Sequence, residues 1–242
     1  MLVLSPGTLT RGAPGSAAGD ELASFPVRLR EVVRAGGSGL VLREPFLEDG
    51  PFLELALEAR ALLDREAPGA WLGIHDRVHL AGATAADGVH LAGGSLSAAE
   101  ARRVLGDKVT LGVSTHQGDG PDRWEGADYA MHAPVFAPHS KDVEVGILGP
   151  EGLREFCAAC PLPVWALGGV NPASLPRLRG TGAAGAAAIG AVWGQLAGVS
   201  AAGPDAVRAE EERAASPGLP QRVDDLVAAA AATFMPSDEA KR

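Results

Sequence analysis

The stretch that decides the fold runs from Pro163 to Trp193 and reads PVWALGGVNPASLPRLRGTGAAGAAAIGAVW. Its apolar run at 164–167 is long enough for a buried strand, and the glycine pair at 168–169 follows at once. Asn171-Pro172 then suits the N-cap and first position of a helix of about two turns over 173–179. The pattern predicts a buried strand that leads through a glycine turn into a short helix.

The same unit begins again immediately, because a second small apolar strand is predicted over 184–189 and ends at Gly190. Glycine turns let backbone N–H groups approach an anion closely. In a (β/α)8 barrel, the turns after the last two strands are a common phosphate site. The spacing leaves two interpretations open, a phosphate site or merely the tight turns of an α/β fold.

The rest of the chain has the same alternation of apolar strands and helical patterns. Six earlier strands are predicted at 2–5, 39–44, 70–74, 87–91, 109–113 and 128–132. They are short and largely free of alternating polar positions, as expected for parallel strands that are covered on both faces. We therefore predict an α/β fold, a single (β/α)8 TIM barrel over residues 1–197. An open doubly wound sheet is the rival, but PGTLTRG at 6–12 matches its glycine fingerprint poorly.

Two segments differ from this pattern. Residues 10–22 are rich in Gly, Ala, Ser and Pro and are predicted to be a loop before a helix at 25–35. Residues 198–242 are predicted to be an appended C-terminal helical extension, with an alanine-rich helix over 223–234. This extension is expected to pack on the barrel or on a neighbouring subunit.

Composition limits the classes of function. The chain has 242 residues, 46% of them hydrophobic, and a formal net charge of −9. The negative charge argues against a nucleic-acid partner and against an anionic membrane surface. The N-terminus lacks the basic region of a signal peptide, and no apolar stretch is long enough to span a membrane. We expect a cytoplasmic protein and leave a homo-oligomer open.

In a parallel barrel, the polar residues that end the strands share one mouth. They are Arg43, His75, Asp76, Ser114, His116, His132, His139, Ser140 and Lys141. Arg43, Ser140 and Lys141 suit phosphate oxygens, and Asp76 suits a divalent cation or an arginine. A histidine can move a proton near neutral pH.

Seven short motifs in these regions resemble the thiamine phosphate synthase/TenI family, in the order of that family. They are LVLRE at 40–44, GIHDRVHLA at 73–81, ADGVHL at 86–91, LGVSTH at 111–116, GADYA at 126–130, PVFAPHSK at 134–141 and ALGGV at 166–170. The resemblance covers about residues 1–195 and implies a single (β/α)8 barrel. Synthases of the family join hydroxymethylpyrimidine pyrophosphate to thiazole phosphate with Mg²⁺. The TenI branch includes a metal-free thiazole tautomerase that uses a histidine.

The resemblance implies a role for several positions. It assigns Arg43 to pyrophosphate, Asp76 to Mg²⁺, and Ser114, Ser140 and Lys141 to substrate binding. It assigns the thiazole phosphate to the backbone at Gly169, Ile189 and Gly190, where a serine is usual at the last position. Gly168 joins this set as the first glycine of the predicted turn. Mg²⁺ is thus the implied cofactor of a synthase, and a phosphorylated small molecule is the implied partner in either branch.

The departures from the synthase pattern matter more than the matches. A glutamine and a lysine of the family are replaced by Val41 and Pro45, and an asparagine by His75. Ser95 stands where the second metal-binding aspartate is expected. A pyrophosphate leaving group needs a cation to neutralise its charge. The tautomerase histidine is not matched either, since its position holds Pro134, two residues after His132.

Three functions follow from the residues. We favour a thiazole tautomerase-type proton transfer, with His132, His75 and Lys141 as the catalytic candidates. A Mg²⁺-dependent coupling with Asp76 as the sole carboxylate ligand is the enzymatic alternative. A barrel that binds a phosphorylated ligand or a partner without turnover is the third.

Overall fold

The computed structural model describes residues 1–12, 15–137, 146–193 and 219–234. Its strands are β1 Leu2–Leu4, β2 Gly39–Leu42, β3 Trp71–His75, β4 Gly88–Leu91, β5 Thr110–Thr115, β6 Tyr129–His132, β7 Val164–Ala166 and β8 Gly185–Ala188. Its helices are α1 Ala17–Arg34, α2 Asp49–Glu66, α3 Ala98–Leu105, α4 Pro121–Trp124, α5 Gly149–Ala159, α6 Gly190–Trp193 and α7 Leu219–Phe234. Two 3-10 turns lie at Val78–Leu80 and Leu175–Leu178.

The eight strands form a closed parallel barrel in sequence order. Each strand pairs with the next, and β1 closes the ring against β8 with Leu2 opposite Ala187. The predicted (β/α)8 barrel is therefore confirmed, and the open-sheet alternative is excluded. Because all strands run the same way, their carboxyl ends meet at one mouth.

Three aromatic rings fill the interior of the barrel opposite glycines on neighbouring strands. A Cβ atom on Gly88 of β4 would lie 2.4 Å from the Trp71 ring of β3, and one on Gly185 would lie 2.5 Å from the Trp165 ring. On Gly112, a Cβ would come within 2.0 Å of Tyr129. The interior is thus a packed core, and the glycines make room for the large rings.

We expect Gly112→Ala to lower the free energy of unfolding by about 1–3 kcal/mol, because the added methyl group overpacks the Tyr129 ring. Urea unfolding measures the loss. Gly94→Ala is the matched control, since a Cβ there meets nothing within 4 Å among the described atoms. Equal stability of the two variants would show that the interior has room for a methyl group beside the Tyr129 ring.

Helix α1 begins earlier than the sequence predicted. Residues 17–22 were predicted as loop, but they form the first turns of α1. The Ser16 hydroxyl accepts a hydrogen bond from the Gly19 N–H and caps the helix. The capping box of Ser97 and Glu100 at the start of α3 was predicted and is present.

The segment after β7 is shorter than predicted. The Asn171 side chain caps it by accepting hydrogen bonds from the Ala173 and Ser174 N–H groups, both at 2.9 Å. The two-turn helix predicted over 173–179 is only the 3-10 turn at Leu175–Leu178.

Helix α7 takes the position of the eighth helix of the barrel. It packs against α1, β8 and the 3-10 turn after β7, with Val223 and Leu226 fully buried. Arg179 donates to the Ala232 carbonyl at 2.7 Å and ties the helix to that turn. The described part of the predicted extension therefore completes the barrel, while the boundary at 197/198 stays a prediction.

None of the helices in the described ranges combines the length and the apolar character needed to cross a bilayer.

Candidate functional site

Alternation along the strands decides which predicted side chains reach the mouth. Trp71 and Gly73 point into the barrel, so His75 at the end of β3 points inward too. Its ring centroid lies 5.8 Å from that of His90 on β4. His90 in turn lies 2.9 Å from the Ser114 hydroxyl on β5. The structure thus brings His75 and Ser114 together inside the mouth.

Asp76 follows His75 and has an unusual backbone with φ of 62°. Its Oδ1 atom accepts hydrogen bonds from the Ala92 N–H at 2.8 Å and from the Ser95 hydroxyl. Its Oδ2 atom lies 3.2 Å from His75 Nδ1. Partial burial alone raises the pKa of the Asp76 carboxyl, but these three partners outweigh it and hold the pKa well below its usual range. Asp76 is therefore a carboxylate with both oxygens in use.

His90, Tyr129 and Ser114 form a buried chain that the sequence analysis missed. His90 Nδ1 lies 3.1 Å from the Tyr129 hydroxyl, and its Nε2 faces Ser114. Burial lowers the pKa of His90 to about 3, so the ring is neutral at pH 7. The period-2 alternation of Gly88 and His90 on β4 is the signal that points to this inward ring.

Arg43 reaches the mouth from the end of β2, beside the loop after β1. A Cβ on Gly7 would lie 2.4 Å from Arg43 Nη1, so the guanidinium lies directly on this loop. In the described ranges, no acceptor takes a hydrogen bond from that guanidinium, which leaves its donors for an anion.

The neighbouring Glu44 is structural, and the sequence analysis did not single it out. Its side chain is 2% exposed and accepts hydrogen bonds from the Gly7 and Leu9 N–H groups at 3.0 and 2.9 Å. Burial raises the pKa of the carboxyl despite these bonds. Glu44 therefore fixes the loop on which Arg43 lies.

His132 lies outside the mouth, contrary to its predicted place. Met131 takes the inward position of β6, so alternation turns His132 outward against α5. Its ring stacks on Phe156 with centroids 3.7 Å apart, and Nδ1 lies 2.9 Å from the Thr115 hydroxyl. Burial lowers the pKa of His132 to about 4. The ring is therefore packed between β6 and α5, on the outer face of the barrel wall.

The glycine turn after β7 adopts a backbone that only glycine accommodates here. Gly168 and Gly169 have φ of 90° and 61°. A Cβ on them would lie 2.7 Å from Pro134 and 2.5 Å from the Ala137 carbonyl, because the loop after β6 packs on the turn. Within the described ranges their N–H groups donate no hydrogen bond, which leaves them available to an anion.

The turn after β8 is more open. A Cβ on Gly190 would meet no described atom within 4 Å, and Ile189 packs against the aromatic interior of the barrel. Of the predicted phosphate-binding residues, Ser140 and Lys141 lie outside the described residues.

The described residues offer a Mg²⁺ ion a single carboxylate, that of Asp76, where one or two carboxylates together with substrate phosphates are usual. Both Asp76 oxygens already have partners, and the second carboxylate position is Ser95, whose hydroxyl donates to Asp76. No group of three His, Cys, Asp or Glu side chains that could hold a metal occurs in the ranges the structure covers. Mg²⁺ prefers carboxylate oxygens and water in a regular octahedron.

Comparisons with known proteins place the chain in a family. Residues 16–192 match the family model TMP-TENI, thiamine monophosphate synthase. The chain belongs to this family. A putative thiamine-phosphate synthase of Geobacter sulfurreducens is 41% identical over 161 residues, which cover 65% of this chain and 75% of the relative.

Other members of the thiamine monophosphate synthase family agree. The thiamine-phosphate synthase of Moorella thermoacetica is 37% identical over 168 residues, 69% of this chain and 79% of the relative. Thiamine phosphate pyrophosphorylase from Pyrococcus furiosus has the same fold, with a TM-score of 0.73 at 21% identity over 96% of both chains. The family resemblance of the motifs is thus confirmed, and phosphorylated small molecules are the substrates that this family implies.

Proposed function

We propose that this protein binds a phosphorylated thiazole in the barrel mouth and moves a proton on its ring without a metal. The observation that carries the proposal is the state of Asp76. Its carboxylate is engaged by His75, Ala92 and Ser95, so it serves as the partner of a histidine. Ser95 and His75 both differ from the synthase pattern, and both contact this one carboxylate.

His75 is the proton-transfer group of this proposal. When its Nδ1–H donates to Asp76, the lone pair of Nε2 is free to act as a base. An isomerisation takes a proton from one atom of the heterocycle and returns it to another, with no net change of electrons. One imidazole serves both steps, as base and then as acid.

The glycine turns, Arg43 and Ser114 supply the phosphate and ring contacts of the proposal. The unpartnered N–H groups at 168–169 support an anion site, and the Arg43 guanidinium adds a charge-assisted donor. Ser140 and Lys141 complete the binding set, with Lys141 also a candidate for the chemistry.

We expect Gly190→Glu to weaken binding of thiazole phosphate by about 10-fold or more while leaving the melting temperature nearly unchanged, because the added carboxylate repels a phosphate at this turn. A serine is usual here in the family and a Cβ on Gly190 meets no described atom within 4 Å, so the charge and not the Cβ causes the loss. Isothermal titration measures the affinity, with Gly94→Glu as the control at an equally open glycine and Gly190→Ala expected to bind like wild type. Unchanged affinity of Gly190→Glu would remove the turn after β8 from the site.

The proposed reaction is tested by deuterium incorporation. The protein is incubated with a thiazole phosphate tautomer in D2O and EDTA, and NMR follows the product. Product is expected in EDTA with at most one solvent deuterium per molecule, because His75 either returns the proton that it removed or exchanges it with solvent first. No product until Mg²⁺ is added, or an equal rate for His75→Ala in EDTA, would contradict the proposal.

A second candidate function is a Mg²⁺-dependent coupling, since the relatives are named thiamine-phosphate synthases. Arg43 favours it, because a guanidinium without a described partner suits a pyrophosphate. A binding barrel without turnover is the third candidate, and it predicts thiazole phosphate binding with neither reaction.

A further inference from the structure

The barrel interior contains a chain of three polar side chains from neighbouring strands. Tyr129 on β6 lies 3.1 Å from His90 Nδ1, and His90 Nε2 lies 2.9 Å from Ser114 Oγ on β5. His90 is 1% exposed and Tyr129 is 7% exposed. Only Ser114, at the end nearest the mouth, is half-buried.

The protons of this chain can be counted. A charged His90 ring would donate to both neighbours and leave the buried Tyr129 O–H without an acceptor. The geometry therefore requires a neutral ring with one N–H donor and one acceptor nitrogen, which its burial also favours. Burial also raises the pKa of Tyr129 above its usual value, so the phenol keeps its hydrogen. Two hydrogen bonds therefore have three hydrogens between them, and one hydrogen points away from the chain.

The surplus hydrogen belongs to Ser114. His90 is the only hydrogen-bond partner of the Tyr129 hydroxyl among the described residues. If Tyr129 accepted from Nδ1–H, its own buried O–H would have no acceptor, which is a costly arrangement. If Tyr129 donates to Nδ1, the ring hydrogen lies on Nε2 and donates to Ser114 Oγ, and both buried donors are satisfied.

We propose that Tyr129 and His90 are positioning residues that turn the Ser114 hydroxyl hydrogen outward, so that Ser114 is a hydrogen-bond donor to the ligand. No acceptor for that hydrogen lies within the described ranges. The partner is then an acceptor atom of the ligand, such as a phosphate oxygen or a ring nitrogen. The identity of this ligand rests on the proposed function. The direction of the hydrogen bonds, from Tyr129 to His90 and from His90 to Ser114, does not.

The direction of these hydrogen bonds is determined from the tautomer of His90. Nitrogen-15 NMR of the ligand-free protein at pH 7 distinguishes the Nε2–H from the Nδ1–H tautomer, and the His90→Gln variant assigns the signal. The Nε2–H tautomer is expected. An Nδ1–H tautomer or a charged ring would overturn the proposal.

The consequence for binding is measured with thiazole phosphate as the probe. Ser114→Ala is expected to weaken binding about 3- to 10-fold, the usual effect of one lost hydrogen bond. Tyr129→Phe frees the serine hydrogen to turn inward and should weaken binding to a similar extent. In the Ser114→Ala background, Tyr129→Phe should have no further effect, because it acts through Ser114.

Two controls separate this role from a structural one. His90→Gln offers an amide acceptor and an amide donor and should retain more affinity than His90→Leu, at equal melting temperature. Additive losses for Tyr129→Phe and Ser114→Ala would contradict the positioning role. If the wild-type protein does not bind thiazole phosphate, the proposed function fails, while an Nε2–H tautomer still supports the direction of the chain.

Discussion

The protein is expected to lose stability steeply as the pH falls from about 6.5 toward 4. His90 and His132 are 1% and 2% exposed, and burial lowers their pKa values to about 3 and about 4. The unfolded chain binds protons at these histidines below about pH 6.5, whereas the folded protein does not. Each histidine therefore lowers the free energy of unfolding by roughly 1.4 kcal/mol for each unit that the pH falls in this window.

The two histidines together lower the free energy of unfolding on the order of 5 kcal/mol by pH 4.5, comparable to the whole stability of many domains. Glu44 acts in the opposite direction, because its raised pKa lets the folded protein hold a proton that the unfolded chain releases. Asp76, whose pKa is lowered, adds to the loss only at more acidic pH.

Urea unfolding at a series of pH values measures this slope. The slope reports how many protons the protein takes up when it unfolds. His90→Gln and His132→Gln should each reduce that number by about one between pH 6 and 4.5. His116→Gln is the control, because this histidine is exposed. A wild-type slope that none of the buried variants changes would show that neither ring is kept neutral by burial.

Replacing His75 is expected to remove the proposed proton transfer. His75→Ala should lower the isomerisation rate about 10²- to 10⁴-fold, the usual range for a lost acid–base group. His75→Asn, which restores the residue usual in the family, should lose as much because an amide does not titrate. Single-turnover rates with thiazole phosphate tautomer measure both variants.

His132→Gln is the matched control for the His75 variants. Its ring lies outside the barrel against Phe156, so the rate should stay within about twofold of wild type, since the substitution leaves the acid–base group in place. Asp76→Asn should fall between the two, because the amide still contacts His75 but does not stabilise its charged form. A large loss in His132→Gln with a normal rate in His75→Ala would reverse the assignment.

The barrel could be predicted from the sequence, because apolar strands and helices alternate along the chain. The mouth followed from it, because the carboxyl ends of parallel strands meet at one side. The cap at Asn171 and the capping box at Ser97 were also readable locally. The first turns of α1 were missed, since glycine, alanine and serine resemble a loop until packing selects the helix.

The site was only partly predictable, because strand ends were treated as equivalent whichever way their side chains point. Alternation from the inward rings of Trp71 and Tyr129 separates His75, which faces the mouth, from His132, which does not. The chain through His90 and the bond from Ser95 to Asp76 join different strands and loops, and such contacts depend on tertiary structure.

The most direct test of the account is to supply the wild-type protein with the substrates of both reactions and measure both products. Thiamine phosphate formation is followed with hydroxymethylpyrimidine pyrophosphate, thiazole phosphate and Mg²⁺, and isomerisation is followed with thiazole phosphate tautomer in EDTA. The engaged Asp76 carboxylate predicts isomerisation in EDTA and no thiamine phosphate. Mg²⁺-dependent thiamine phosphate formation that Asp76→Ala abolishes would contradict it.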